Sequence, residues 1–140
     1  EGINTAKATV DSVNYIKNSD IIVFGPSNPI VSISPIIRIK GIKKSLEKSK
    51  SIKVAVSPII NGRAIKGPVI EMLIYAGYEP NVLGVAHYYK NFIDILIIDK
   101  SDIKFTKHIE LLGIKVLSLN ILLNNNSRKY NLAKTIFELI

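Results

Sequence analysis

Short, nearly continuous apolar runs alternate with longer segments in which apolar residues recur every third or fourth position. The runs Ile21-Ile22-Val23-Phe24, Val54-Ala55-Val56 and Ile95-Leu96-Ile97-Ile98, together with Lys115 to Leu119, predict strands. A continuous apolar run reads as a strand covered on both faces, as in a parallel sheet. Between them, the spacing of Ala8, Val10, Val13 and Ile16 predicts a helix over 6–18, and that of Val69, Met72, Leu73 and Ala76 predicts one over 68–76. Further helices are expected over 41–49, 85–91, 102–112 and 128–139, with a turn at Asn124 to Ser127. Pro68 suits the first position of its helix and Gly77 the position just past the end. Strands alternating with helices predict an α/β fold: a three-layer, Rossmann-like, mostly parallel sheet with right-handed crossovers. Such sheets bind ligands beyond the carboxyl ends of their strands, so the chemistry is sought in the loops that leave them.

Two loops stand out. The first, Gly25-Pro26-Ser27-Asn28-Pro29, runs on to Ser32 and Pro35. Glycine allows a positive φ and close approach of a ligand to the backbone. Ser27 and Asn28 add polar groups, and successive N–H groups in such a turn can form an anion-binding nest. The prolines stiffen the loop before any ligand arrives. The same residues also make an ordinary turn. The second, Asn61 to Pro68, carries Arg63, Lys66 and Gly67 just before a helix start. A helix N-terminus with added cations suits a phosphate or carboxylate, whereas two solvated surface cations would need no ligand.

Composition narrows the classes. At 140 residues, 47% hydrophobic and 21% charged, the chain has the makings of one globular domain, or a half-domain, over residues 1–140. The absence of cysteine excludes disulfides and Cys-ligated metal and fits a reducing, cytoplasmic location. No apolar run reaches the ~18 residues of a membrane helix, so no membrane association is expected. The chain opens on Glu1 and its only methionine is Met72, which suggests a piece of a longer protein.

Net charge is +8, densest between Arg38 and Lys53. That suggests anionic partners, but aromatics are not interleaved with these lysines as a single-strand binder would have them. A solvated helix face is the simpler reading, and no nucleic-acid partner is expected. Asp99 and Asp102 follow a strand and either help hold Mg²⁺ or cap the next helix through Ser101 or Asp102. His87 and His108 stand alone and read as helix residues; Tyr88 and Tyr89 either line a pocket or fill the core. No Ser-His-Asp or Cys-His arrangement is visible.

Three stretches carry a resemblance: "DIIVFGPSNPIVSISPIIRIKGIKKSL" (Asp20 to Leu46), "VAVSPIINGRAIKGP" (Val54 to Pro68) and "AGYEPNVLGVAHYYKNFIDILIIDKSD" (Ala76 to Asp102). In order and over nearly the whole chain, they resemble the C-terminal half of the CofD family, the 2-phospho-L-lactate transferases of deazaflavin coenzyme biosynthesis. The last twenty residues carry little of it. The resemblance implies transfer of a 2-phospholactyl group from a GDP-activated lactate to a deazaflavin alcohol, with Mg²⁺ and release of GMP. It implies that the glycine-rich loop and the metal- and deazaflavin-gathering acids lie in an N-terminal half that these residues do not contain. Catalytic and metal-binding residues are therefore not assigned to this chain, and that half is an expected partner. Carried over by position, Gly25, Pro26, Ser27 and Asn28 face the substrate cleft, with Ser32 behind them; Arg63, Lys66 and Gly67 match the second loop. A related family of nucleotide-sugar-binding regulatory proteins is the rival, but its loop resembles Gly-Pro-Gly-Ser-Leu-Tyr-Thr-Ser where this chain has Ser27-Asn28-Pro29. A homodimer stays open.

Overall fold

Ile95 to Asp99 is buried at every position, so both faces of this strand must be covered. The computed structural model, which describes residues 2–140, shows how. The strands are β1 (Ile21–Phe24), β2 (Ile52–Val56), β3 (Ile59–Ile60), β4 (Arg63–Ala64), β5 (Ile95–Asp99) and β6 (Lys115–Leu119). Four of them form a parallel sheet in the order β1-β2-β5-β6. Its register sets Val23 beside Val54 and Val54 beside Ile95.

Side chains alternate across the sheet. Phe24, Ala55, Leu96 and Ile98 face one layer, built by α3 (Ile42–Lys48), α4 (Val69–Tyr75), α5 (Val82–Tyr89) and α6 (Thr106–Glu110). Val54, Val56, Ile95 and Ile97 face the other, where Leu132 and Ile136 of α7 (Asn126–Phe137) cover them. Each fully buried Ile or Leu adds about 1.5–3 kcal/mol of hydrophobic stabilisation. Two further helices, α1 (Val10–Asn18) and the single-turn α2 (Ser34–Ile37), flank β1. The expected three-layer α/β fold is present.

Several boundaries move, and capping explains most of the shifts. α1 begins at Val10 because Thr9 accepts a hydrogen bond from the Ser12 N–H (3.2 Å). α5 begins at Val82, earlier than expected, because Asn81 accepts from the Leu83 N–H (2.8 Å). α7 begins at Asn126 because Asn125 accepts from the Arg128 N–H (2.9 Å). The helix expected over 102–112 is a 3₁₀ segment, Lys100–Phe105, followed by α6. Pro68 is the N-cap of α4 and not its first residue, while Gly77 has the positive φ (81°) of a helix terminator.

Tertiary contacts decide the remaining expectations, overturning those for β1 and His87 and bearing out those for the basic stretch and Tyr89. β1 is not covered on both faces: it is the edge of the sheet, and Val23 is 46% exposed. The basic stretch is a solvated face. Ile42 and Leu46 turn inward while Lys43 pairs with Glu47 at 3.9 Å along the exposed side of α3. Tyr89 is core, packed edge-on against Tyr88 with ring centroids 4.9 Å apart. His87 is not alone, since its Nδ1 lies 2.8 Å from Glu79 Oε2. No described helix is long and apolar enough to cross a membrane.

Candidate functional site

Parallel strands deliver their outgoing loops to one end of the sheet, so the loops after β1 and β2 emerge together. Asn28 then joins the first of them to α4. Its Oδ1 accepts from the N–H groups of Ile30 (2.9 Å) and Val31 (3.3 Å), capping a π-helical turn over Pro29–Ile33. Its Nδ2 donates to Met72 Sδ at 3.2 Å.

This geometry corrects two expectations about the loop. Gly25 does not use a positive φ; what it leaves is room, since a Cβ there would meet no atom within 4 Å. The turn is also no ready-made nest of N–H groups. The Ser27 N–H donates to the Gly25 carbonyl (2.7 Å), those of Ile30 and Val31 go to Asn28, and that of Ser32 goes to the Asn28 carbonyl (3.0 Å). The loop therefore presents side chains and an open glycine surface. Pro26, Ser27 and Ser32 are exposed, and Asn28 is half-buried.

The second loop is more structured than its composition suggests. Asn61 (φ 49°) and Gly62 (φ 70°) both adopt the left-handed region and close the hairpin of β3 and β4. Asn-Gly between short flanks is the type I′ hairpin signal, which hydrophobic periodicity passes over in strands of two residues. Arg63 stands on β4, and Lys66 follows before Gly67, whose φ of 69° turns the chain into α4. Arg63, Lys66 and Gly67 are exposed, and among the described residues neither cation has a carboxylate partner. α4 is only 7 residues long, so few peptide dipoles add at its N-terminus. The positive character of this loop rests on the two side chains.

Asp102, almost wholly buried, holds the hairpin down: its Oδ2 accepts from the Asn61 N–H at 2.8 Å. Nothing local in the sequence links residues 61 and 102. Asp99, and not Ser101 or Asp102, caps the segment after β5, accepting from the N–H (3.0 Å) and hydroxyl (2.7 Å) of Ser101 and from the Ile121 N–H (3.2 Å). Both carboxylates thus hold backbone, and no group of three or more His, Asp or Glu among the described residues could hold a metal ion. The residues present do not make a Mg²⁺ site.

The two acids carry opposite pH signatures. Burial pushes Asp102 above the ordinary carboxyl value, with Asp99's charge adding to it, against the pull of the Asn61 hydrogen bond. Burial also pushes on Asp99, but its hydrogen bonds from Ser101 and Ile121 and the charge of Arg128 outweigh it and bring the group down. A raised folded-state pKa means that the unfolded chain ionises first. Asp102 therefore costs stability as pH climbs from about 4 towards its folded value. Asp102→Asn is expected to flatten that fall, seen as a smaller change in urea midpoint between pH 4 and 7 than the unsubstituted chain shows. An unchanged slope would remove Asp102 as its source.

The model of the family "2-phospho-L-lactate transferase CofD" matches residues 1–115. The 2-phospho-L-lactate transferase of Methanocaldococcus jannaschii is 40% identical over 133 residues, which are 95% of this chain and 41% of that protein. That of Methanococcus maripaludis is 38% identical over 138 residues, 99% of this chain and 43% of that protein. The chain thus spans about two fifths of the length of these curated relatives. Two crystal structures of one Bacillus halodurans protein, of the UPF0052 family, superpose with TM-scores of 0.63 and 0.60, over 94% of this chain and 47% of theirs. At 18% identity that likeness is one of fold. Matched along most of its length, the chain belongs to the CofD family.

Proposed function

We propose that this chain forms one wall of the substrate cleft of a 2-phospho-L-lactate transferase. The observation that carries the reading is the 40% identity, over 95% of the chain, to a protein of that name. The reaction would pass a 2-phospholactyl group from lactyl-2-diphospho-5′-guanosine to a 7,8-didemethyl-8-hydroxy-5-deazariboflavin acceptor. The acceptor's hydroxyl oxygen forms a bond to the lactate-bearing phosphorus, that phosphorus loses its bridging oxygen to the guanosine side, and GMP departs. Phosphoryl transfers of this kind depend on positioning and charge neutralisation more than on covalent catalysis. A rigid polar loop at Gly25 to Asn28 and two uncommitted cations at Arg63 and Lys66 suit those tasks. Mg²⁺ would be held by groups outside these residues, as would the acceptor hydroxyl's proton.

The discriminating assay is GMP release from the activated lactate, with and without deazaflavin acceptor, in a protein of the relatives' full length carrying these residues. Acceptor-dependent GMP is expected. Tight binding of a UDP-sugar with no such release would favour a nucleotide-sugar-binding regulator. Residues 1–140 alone are expected to give no turnover, and turnover by them would overturn the placement of the catalytic groups elsewhere.

Asn28→Ala in that longer protein is expected to lower kcat/KM by about tenfold, because the turn loses its cap and the loop its shape. The stability cost should stay near 1 kcal/mol, the usual worth of an N-cap. Normal turnover with a much lower melting temperature would reduce Asn28 to a turn residue.

A further inference from the structure

Asn28 holds its own loop with one end of a planar amide and reaches out of it with the other. Its Oδ1 accepts from the N–H groups of Ile30 (2.9 Å) and Val31 (3.3 Å), so its NH₂ faces the other way, towards α4. There the Sδ of Met72 lies 3.2 Å from Nδ2. Among the described residues, this is the only hydrogen bond that ties Pro26 to Ile33 to another part of the chain; the others run within the turn itself. The segment so held is a π-helical turn, a rare geometry that recurs at functional sites.

A thioether is a weak acceptor. Packing alone would not call for one here, since leucine replaces methionine at small cost but has no lone pair to offer Nδ2. Met72 is the only methionine of the 140 residues. Its neighbours Val69 and Leu73 on α4 are buried, whereas Met72 is partly exposed, so a small solute can reach its side chain.

Sulfur chemistry makes this contact breakable. Of the two lone pairs on Sδ, one faces Nδ2 and the other is free. The free pair can attack one oxygen of hydrogen peroxide. The O–O bond breaks as the S–O bond forms, the departing hydroxide takes the proton carried by the transferred oxygen, and water leaves. Sulfur gives up two electrons and the peroxide gains them. The product, methionine sulfoxide, is polar, and sulfoxide reductases return it to the thioether. Its sulfur carries positive character and no longer accepts from Nδ2. Nor can Asn28 simply turn to the new oxygen. The carboxamide is planar, so any rotation that re-aims Nδ2 draws Oδ1 away from Ile30 and Val31.

We propose that Met72 is an oxidation site, and that its conversion to the sulfoxide by a hydroperoxide releases Asn28 and loosens Pro26 to Ile33. Release of the loop rests on the Asn28–Met72 contact. The loss of transfer activity that follows from it rests on the reading of this loop as a cleft wall.

Peroxide treatment of a protein of the relatives' full length, carrying these residues, tests this by peptide mass and hydrogen–deuterium exchange. The peptide containing Met72 should gain one oxygen. The amides of Ile30 and Val31 should then exchange at least about fivefold faster, the order expected for one lost hydrogen bond, with those of Ile95 to Asp99 unchanged. A sulfoxide reductase should restore the original rate. Met72→Leu keeps the packing and removes the sulfur, so its Ile30 and Val31 amides should already exchange faster and should not respond to peroxide. A Met72 that stays a thioether in peroxide sufficient to oxidise free methionine would overturn the proposal. So would an oxidised Met72 with Ile30 and Val31 exchanging at the original rate or more slowly, or with the protection of Ile95 to Asp99 lost as well. An equal peroxide response in Met72→Leu would do the same. A loosened loop with undiminished GMP release would leave the oxidation site standing and count against the cleft-wall reading alone.

Discussion

Gly84→Ala is expected to destabilise the protein by about 3 kcal/mol, lowering the melting temperature by roughly 10 °C. The sign is opposite to the usual one. Glycine inside a helix ordinarily costs about 1 kcal/mol relative to alanine, so the substitution should help on helix propensity alone. Gly84 lies in α5, however, where a Cβ would stand 2.0 Å from the Glu79 carbonyl oxygen and 2.9 Å from its carbon. The obstacle is backbone and cannot rotate away. α5 has little freedom to withdraw, because Val82, Val85, Ala86 and Tyr89 are all buried on the same side of the sheet. Either the segment before Asn81 shifts or the helix lifts from the core. A thermal melt checks this directly. A melting temperature equal to or above that of the parent would show that the Glu79 backbone gives way at little cost.

Arg63→Ala combined with Lys66→Ala is expected to lower kcat/KM for the activated lactate by about 100-fold or more in a protein of the relatives' full length. A hydrogen bond to a charged group contributes roughly 1.5–3 kcal/mol, or about 10- to 100-fold per contact. Both side chains are exposed and unpaired among the described residues, so removing them breaks no contact of the fold. Melting temperature should accordingly move by less than about 2 °C. Arg63→Lys should recover part of the loss, since it keeps the charge and gives up the planar fork that matches phosphate oxygens. Unchanged kcat/KM in the double variant would return both residues to the status of solvated surface cations. Activity and melting temperature measured on the same variants separate the two roles.

The strands were legible because their signal is local. Ile95 to Ile98 reads as buried from composition alone, and it is. The same reading fails at Ile21 to Phe24, which is just as continuously apolar, because coverage depends on which strands and helices lie alongside. Helix starts at Val10, Val82 and Asn126 were each marked by a capping residue one position earlier, Thr9, Asn81 and Asn125. The hairpin at Asn61-Gly62 was written in the sequence as plainly as any turn can be, and hydrophobic periodicity passes over it because each strand has two residues.

The candidate site divides along the same line. Gly25 to Asn28 and Arg63 to Gly67 were marked by residue type: glycine, proline and polar groups after a strand, then cations before a helix. Their emergence at one end of the sheet follows from parallel pairing, which a run of isoleucines implies but does not prove. That the turn's N–H groups are taken up by Asn28, and that Asp102 holds a hairpin 41 residues away, follows from contacts between distant segments.

By itself, then, the sequence determined the α/β class, the order of strands and helices, and the two loops worth examining. Each depends on side-chain pattern over a few neighbouring residues. Only the tertiary structure decided that β1 is an edge, that Asp99 and Asp102 hold backbone, and that Gly84 lies against the Glu79 backbone. Those facts depend on which groups meet in space, and close packing makes an ångström there matter more than any residue's own preference.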